Sequence, residues 1–325
     1  MRDILPTLER WTRDGRRAAV ATVVATQRSA PRDPGAALAV DDEGEVAGSV
    51  TGGCVEPAVY EEAREVLAGG GARLKAYGIA DETAFEVGLP CGGTVQIFVW
   101  PLDPALLQEL VAAVGDERPV ALQLPLDGAT PTLTYEHELL TRGTTAIVND
   151  VFVDGESFAP RPDMYVFGAV DHAAAVAEIG RFLGYHVTVC DARSRFVTRE
   201  RFPNVDELVV EWPDRFLAGA HVDERTAICV LTHDHKFDIP LLKTALETPA
   251  GYIGAMGSRR TTDERNELLR AEGVAEAELT RIRAPIGLKI GARSPQEVAV
   301  AIAAELVQVM RERAAEAQTT AAGVG

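Results

Sequence analysis

Apolar positions recur at helical spacing where the chain opens: Ile4, Leu8 and Trp11 predict a short helix. Residues 18–26 are apolar and β-branched and predict a buried strand, followed by a Pro- and Gly-containing loop over 29–35. Strands are expected near 37–40 and 46–50. The turn Thr51-Gly52-Gly53-Cys54-Val55-Glu56-Pro57 then opens a helix. Pro57 suits its first turn, Val59, Ala63, Val66 and Leu67 form its apolar stripe, and Gly69-Gly70-Gly71 ends it. Strands near 74–79 and 94–99 flank Gly88-Leu89-Pro90-Cys91-Gly92-Gly93. Asp103-Pro104 caps a helix with Leu106, Leu107, Leu110 and Val114 on one face. Short strands and turns fill 119–158.

Residues 155–163 contain Ala159-Pro160-Arg161-Pro162 and read as a linker. The expected organisation is an N-terminal domain over 1–158 and a second domain over 159–313. Beyond the linker, strand-like runs at 164–167, 186–190, 207–210, 227–231 and 250–253 alternate with helical runs. That alternation predicts a parallel sheet with helices on both faces. The fold class is therefore α/β: a mixed α/β N-terminal domain joined to a Rossmann-like one. Ser294 with Glu297 forms a capping box for the last helix, with Pro295 at its first position. The small, polar tail 314–325 is expected to be disordered.

A length of 325 residues suits two cores better than one. Hydrophobic content of 46% and charged content of 25% are those of a soluble globular chain. The 49 acidic and 32 basic residues give a net charge of −17, with short Arg pairs and no long basic run. A nucleic-acid partner is not expected of such a chain. The apolar stretch 298–309 contains Glu305 and is too short to span a bilayer, and residues 1–4 carry no signal core. Four cysteines make no disulfide framework at this length. A cytoplasmic protein with free thiols, and with no membrane partner, is the expectation.

In the second domain, residues 164–191 read as a strand, the turn Gly168-Ala169-Val170-Asp171-His172-Ala173, a helix and a second strand ending at Asp191. Ala177, Phe182 and Leu183 are expected on the helix's packing side. Gly168 permits a tight turn, and the amides at the helix start would face a phosphate. Asp191 is placed to accept bonds from a ribose. The dinucleotide pattern wants glycine where Val170 stands, and Asp171 adds an anion beside the phosphate position. A turn that binds nothing is the plain alternative.

Two more predicted strand ends carry polar clusters. One is Leu231-Thr232-His233-Asp234-His235-Lys236; the other is Tyr252-Ile253-Gly254-Ala255-Met256-Gly257-Ser258-Arg259-Arg260. Ligands in such sheets bind beyond the carboxyl ends of strands. Gly257 and Ser258 offer amides, and Arg259 and Arg260 can neutralise a phosphate, against the alternative of a solvated helix start. His233, Asp234 and Gly254 join the candidate cofactor contacts. Too few ligands converge near His233 and His235 for a metal.

Cys54 follows Gly52-Gly53 just ahead of a helix, and Cys91 precedes Gly92-Gly93 and a strand. Bare backbone beside a thiol admits a ligand, and a helix N-terminus favours a thiolate. Glu56 opposes that effect and is a candidate proton acceptor. Packing, a disulfide and zinc are the alternatives. The cytosol disfavours the disulfide, and no C-x-x-C pair or nearby His supports zinc. Cys190 and Cys229 fall in predicted buried strands and read as packing.

Together, Gly48-Ser49-Val50-Thr51-Gly52-Gly53-Cys54-Val55-Glu56, Cys91-Gly92-Gly93, Gly184-Tyr185-His186-Val187-Thr188-Val189-Cys190-Asp191-Ala192-Arg193, Leu231-Thr232-His233-Asp234, the run from Tyr252 to Arg260 and Pro285-Ile286-Gly287-Leu288 resemble the XdhC/CoxI family of xanthine dehydrogenase accessory proteins. The resemblance covers nearly the whole chain, with Pro57, Trp100 and His235 as departures beside the motifs. It implies a two-domain protein, commonly a homodimer. Such a protein binds molybdenum cofactor (molybdopterin), protects it while a cysteine desulfurase-type sulfur donor supplies the sulfido ligand, and inserts it into a molybdenum hydroxylase client. It would act as a chaperone without turnover of its own. Cys54 matches the family's Gly-Gly-Cys cysteine and is the candidate molybdenum or sulfur contact; Cys91 matches its Cys-Gly-Gly motif. The expected arrangement has the cofactor between the domains, its phosphate at 257–260 and its metal end toward Cys54. An NAD(P)-dependent oxidoreductase using Asp191 is the alternative. A nucleotidyl-transfer enzyme acting on the pterin ranks behind it, for want of a P-loop.

Overall fold

Alternate residues of the first long strand face two different cores, which explains its unbroken apolar run. The structure is a computed structural model and describes residues 1–28, 31–78, 93–136, 139–140 and 143–322. The first compact unit, Met1–Pro160, contains α1 (Leu5–Arg13), β1 (Ala18–Gln27), β2 (Ala37–Asp41), β3 (Val46–Gly48), α2 (Glu56–Glu65), β4 (Arg73–Tyr77), β5 (Thr94–Pro101), α3 (Pro104–Gly115), β6 (Ala121–Pro125), β7 (Thr132–Thr134), β8 (Thr145–Val148) and β9 (Val151–Asp154). Five strands form an antiparallel sheet in the order β3-β2-β1-β5-β4, and four form a second in the order β7-β6-β9-β8.

On one face of the larger sheet, Val20 and Val24 share a core with Leu8 and Trp11 of α1, Leu107 and Leu110 of α3, and Leu122, Leu124 and Phe152 of the smaller sheet. On the other, Ala19, Ala21 and Val23 share a core with Val59 and Ala63 of α2. The predicted α3 cap is present: the Asp103 carboxylate accepts from the Ala105 amide at 2.9 Å. The strand expected over 46–50 stops at Gly48. Its φ of 78° is left-handed, and a Cβ there would collide with the Ala37 carbonyl oxygen. The chain leaves the sheet at this point and enters the cysteine loop. Cys91 and Gly92 lie outside the described residues, whereas Gly93 is buried just ahead of β5.

The second unit, Arg161–Gly325, contains β10 (Asp163–Phe167), α4 (Asp171–Phe182), β11 (His186–Cys190), β12 (Glu207–Val209), α5 (Pro213–Gly219), β13 (Ala227–Val230), α6 (His235–Leu246), β14 (Tyr252–Ala255), α7 (Arg259–Ala271), α8 (Glu276–Leu279), β15 (Ile282–Arg283) and α9 (Pro295–Ala322). All six strands are parallel, in the order β12-β11-β10-β13-β14-β15. Counted within the unit this is 3-2-1-4-5-6, the order of a doubly wound Rossmann sheet. Met164 and Val166 share a core with α4 and α9, while Tyr165 and Phe167 share one with α5, α6 and α7. Helices therefore cover both faces.

Several details depart from the sequence pattern. The buried face of α4 is Ala173, Val176, Ala177 and Gly180, whereas Phe182 is 86% exposed. Five residues past Ala177, Phe182 projects from the far side of the helix. Gly180 belongs on the packing face because a Cβ there would strike the Met164 sulfur. The two-residue β15 was too short to leave a periodic signal. The capping box is present, with Ser294 N donating to Glu297 at 3.0 Å and Glu297 N to Ser294 Oγ at 3.3 Å. The helix it starts continues to Ala322 instead of ending near 313, since the Ala, Glu and Gln of this tail are good helix formers.

Candidate functional site

Residues 49–55 close around a single carboxylate. Glu56 Oε1 accepts from Ser49 Oγ at 2.6 Å and from the amides of Val50, Thr51 and Gly52 at 3.2, 2.9 and 2.9 Å. Glu56 Oε2 accepts from Thr51 Oγ1 at 2.7 Å and from the amides of Gly53 and Val55 at 2.8 and 3.2 Å. Successive amides converging on one anion form a nest. Burial alone would raise the Glu56 pKa, but the Ser49 and Thr51 hydroxyls and the loop amides hold it down at about 2. The remaining amide of the turn, Cys54 N, donates to Thr51 Oγ1 at 3.2 Å.

Gly52 and Gly53 have φ of 85° and 125°, and a Cβ on either would meet open space. They are glycines for conformation, and they leave the approach to Cys54 bare. The Cys54 side chain is half-buried, packed against the core that Val59 and Ala63 of α2 share with the larger sheet. The loop thus presents a partly accessible sulfur on backbone already fixed by its own glutamate.

In the second unit the carboxyl ends of the six parallel strands lie along one edge. Connections from β10 and β13, its two central neighbours, run in opposite directions, which opens a crevice between their ends. Gly168 follows β10 with φ of 100°, and a Cβ there would lie 2.6 Å from Thr232 Cγ2 and 3.0 Å from Thr232 N. The two chains could not pass so closely with any side chain at 168. Asp191 follows β11 and is 2% exposed. It accepts from Ala169 N at 2.8 Å and from Arg193 N, Nε and Nη2 at 2.9, 2.9 and 2.7 Å. Burial pushes this carboxyl up, and the Arg193 guanidinium together with the Ala169 and Arg193 amides outweighs it and holds the pKa low.

At the end of β13, His233 and Asp234 are exposed; Asp234 caps α6 through Lys236 N at 3.1 Å and pairs with Lys236 Nζ at 2.9 Å. The Thr232 hydroxyl bonds Asp238, which pairs with the fully buried Arg265 at 3.4 Å, and Arg265 Nη2 donates to the Met256 carbonyl at 2.5 Å. This chain ties the end of β13 to the end of β14. There Ser258 caps α7, its Oγ accepting from Thr261 N at 3.1 Å. Arg260 pairs with Glu264 at 2.8 Å, and exposed Arg259 has no ion-pair partner among the described residues.

Residues 11–78 match the model of the XdhC and CoxI family, and residues 164–306 match that of the XdhC Rossmann domain. Over 298 residues, the chain is 31% identical to the molybdenum cofactor insertion chaperone PaoD of Escherichia coli, covering 91% of this chain and 84% of that protein. This chain belongs to the XdhC and CoxI family. It is also 24% identical to a Bacillus subtilis protein named as a probable xanthine dehydrogenase subunit, over 94% of this chain and 96% of the other. A crystal structure from Bacillus halodurans, described as a xanthine dehydrogenase, shares its fold with a TM-score of 0.69 at 23% identity, covering 95% of this chain and 96% of that one.

In this XdhC-family chain the predicted site residues fall into two groups. Gly52, Gly53, Cys54 and Glu56 share one loop, and Gly168, Asp191, His233, Asp234, Gly257, Ser258, Arg259 and Arg260 share one strand edge. Three expectations need correction. Glu56 is not a free proton acceptor, because its lone pairs are taken up by seven donors. Asp191 is not open to a ribose, because Arg193 and the Ala169 amide hold both its oxygens. Gly254 lies inside β14, where a Cβ would strike Ile286; it is a packing residue. Burial raises both Cys190 and Cys229 to about 12, in keeping with their reading as core residues. Periodicity missed Ser49, Thr51, Arg193 and Arg265. The hydroxyls seven and five residues ahead of Glu56, at the start of α2, were the one available signal for the first pair.

Among the described residues, no group of three or more His, Cys, Asp and Glu is placed to hold a metal ion, and no helix is long and apolar enough to cross a membrane.

Proposed function

We propose that this XdhC-family chain carries molybdenum cofactor to a xanthine dehydrogenase-type molybdenum hydroxylase, holding it while its sulfido ligand is installed. The observation that carries the reading is the Cys54 sulfur, half-buried and presented on a loop pre-set by Glu56. A soft sulfur suits molybdenum or its sulfur ligands, and a fixed loop spends no ordering entropy on binding. The name of the PaoD relative supports the same cargo. A cysteine desulfurase-type donor and a homodimeric state, which the family resemblance implies, and a cytoplasmic location complete the proposal.

The test is Cys54→Ser in cells that make the cofactor. Molybdenum and pterin recovered with the variant should fall several-fold, with thermal unfolding unchanged, because the exchange removes a sulfur and leaves the Glu56 bonds in place. Unchanged recovery would remove Cys54 from the site.

A further inference from the structure

Phe196 follows β11 on the edge that carries Gly168, and it is 42% exposed. Two guanidiniums lie against it, Arg193 at 4.7 Å and Arg201 at 5.5 Å from the ring centroid. Both are anchored elsewhere. Arg193 is clamped to Asp191 through Nε and Nη2, which leaves its Nη1 without a hydrogen bond among the described residues. Arg201 donates to the Ala169 carbonyl at 3.0 Å and to Asp171 at 3.1 Å. The surface they make is therefore set before any ligand arrives. Arg195 is exposed on the same loop and has no ion-pair partner among the described residues. Residues 193–201 hold Arg193, Arg195, Arg199 and Arg201 against one acid, Glu200, in a chain of net charge −17. Such focusing of cations beside a strand-end crevice suits an anion. In the strand order β11 and β13 lie on either side of β10, so the loops after them leave the sheet's carboxyl edge on either side of the Gly168 turn.

Each guanidinium lies over the Phe196 ring, and a guanidinium backed by an aromatic ring presents a flat, polarisable face on which a planar heterocycle stacks. We propose that Arg193, Phe196 and Arg201 form a platform for the planar nitrogen heterocycle of a phosphate-bearing ligand, with Arg195 and Arg193 Nη1 meeting its phosphate. The inference rests on the carrier reading for the cargo's identity, since that cargo has a pterin ring and a phosphate. A nucleoside monophosphate offers the same chemistry.

The full chain is titrated by calorimetry with 6-hydroxymethylpterin phosphate, guanosine monophosphate and inorganic phosphate. At least one ring-bearing probe should bind about tenfold more tightly than inorganic phosphate, and the one that does identifies the source. Phe196→Leu should abolish that advantage while leaving phosphate affinity unchanged, and Phe196→Trp should restore it. Equal binding of ring-bearing and inorganic phosphate, or full ring affinity in Phe196→Leu, overturns the platform. Molybdenum recovered with the same variants separates the two readings. Ring binding without molybdenum leaves the platform standing and removes the carrier. Molybdenum recovery without ring binding does the reverse.

Discussion

Seven hydrogen-bond donors surround the Glu56 carboxylate, and each needs an acceptor in the folded state. Glu56→Gln keeps the shape but turns one oxygen into a donor, which then faces Thr51 Oγ1, Gly53 N and Val55 N, or the opposite set. Such unmatched groups cost about 1–3 kcal/mol, readable as a lower urea midpoint. The charge has a pH signature as well. The folded pKa lies at about 2, below the ordinary 4.5. Its stabilising contribution is therefore complete above 4.5 and fades as pH falls from there toward 2. The urea midpoint of the native chain should fall over this acid window, and that component should vanish in Glu56→Gln. An identical acid slope in the variant would show that the nest contributes no linkage. At this scale the sequence was only partly legible. It singled out Cys54, Glu56 and Asp191 as candidates, but a pattern of positions does not reveal which neighbour shares a carboxylate. Arg193, two residues from Asp191, was read as part of a motif when it is the partner that closes the ribose position.

Elements were easier to read, because burial imposes its period on every residue of a strand or helix. The runs at 164–167, 186–190 and 227–231 matched β10, β11 and β13 almost residue for residue, and their ends gave the edge. What was lost lay where geometry overrides period: the left-handed Gly48 that cuts β3 short, the brief β15, and Phe182, apolar but turned outward. The contact between the β10 and β13 connections depends on Gly168. Gly168→Ala must accommodate a left-handed φ and a Cβ pressed on Thr232, at a cost of about 2–3 kcal/mol. Its melting temperature should fall by several degrees. An unchanged melting temperature would mean that the two connections are free to separate.

For the whole molecule, the proline-rich segment marked two units, but the pattern alone left their boundary loose. The linker expectation ended the first domain at 158, whereas the contacts divide after Pro160. The bonds give the reason: Arg2 Nη1 donates to the Ala159 carbonyl at 3.0 Å in the first unit, and Arg161 pairs with Asp206 at 2.8 Å in the second. We propose Pro160 as the boundary. Residues 1–160 expressed alone should unfold in one cooperative step, and residues 1–158, without the Ala159 carbonyl, should be less stable by about 0.5–1.5 kcal/mol. Equal stability of the two fragments would place the boundary at 158.

The most direct measurement is of cargo. The native chain, purified from cells that synthesise molybdenum cofactor, is assayed for molybdenum and pterin per polypeptide. A carrier should bring down both, in equal amounts approaching about one of each per chain or per pair of chains. Molybdenum and pterin no higher than in an unrelated protein purified alongside would contradict that function.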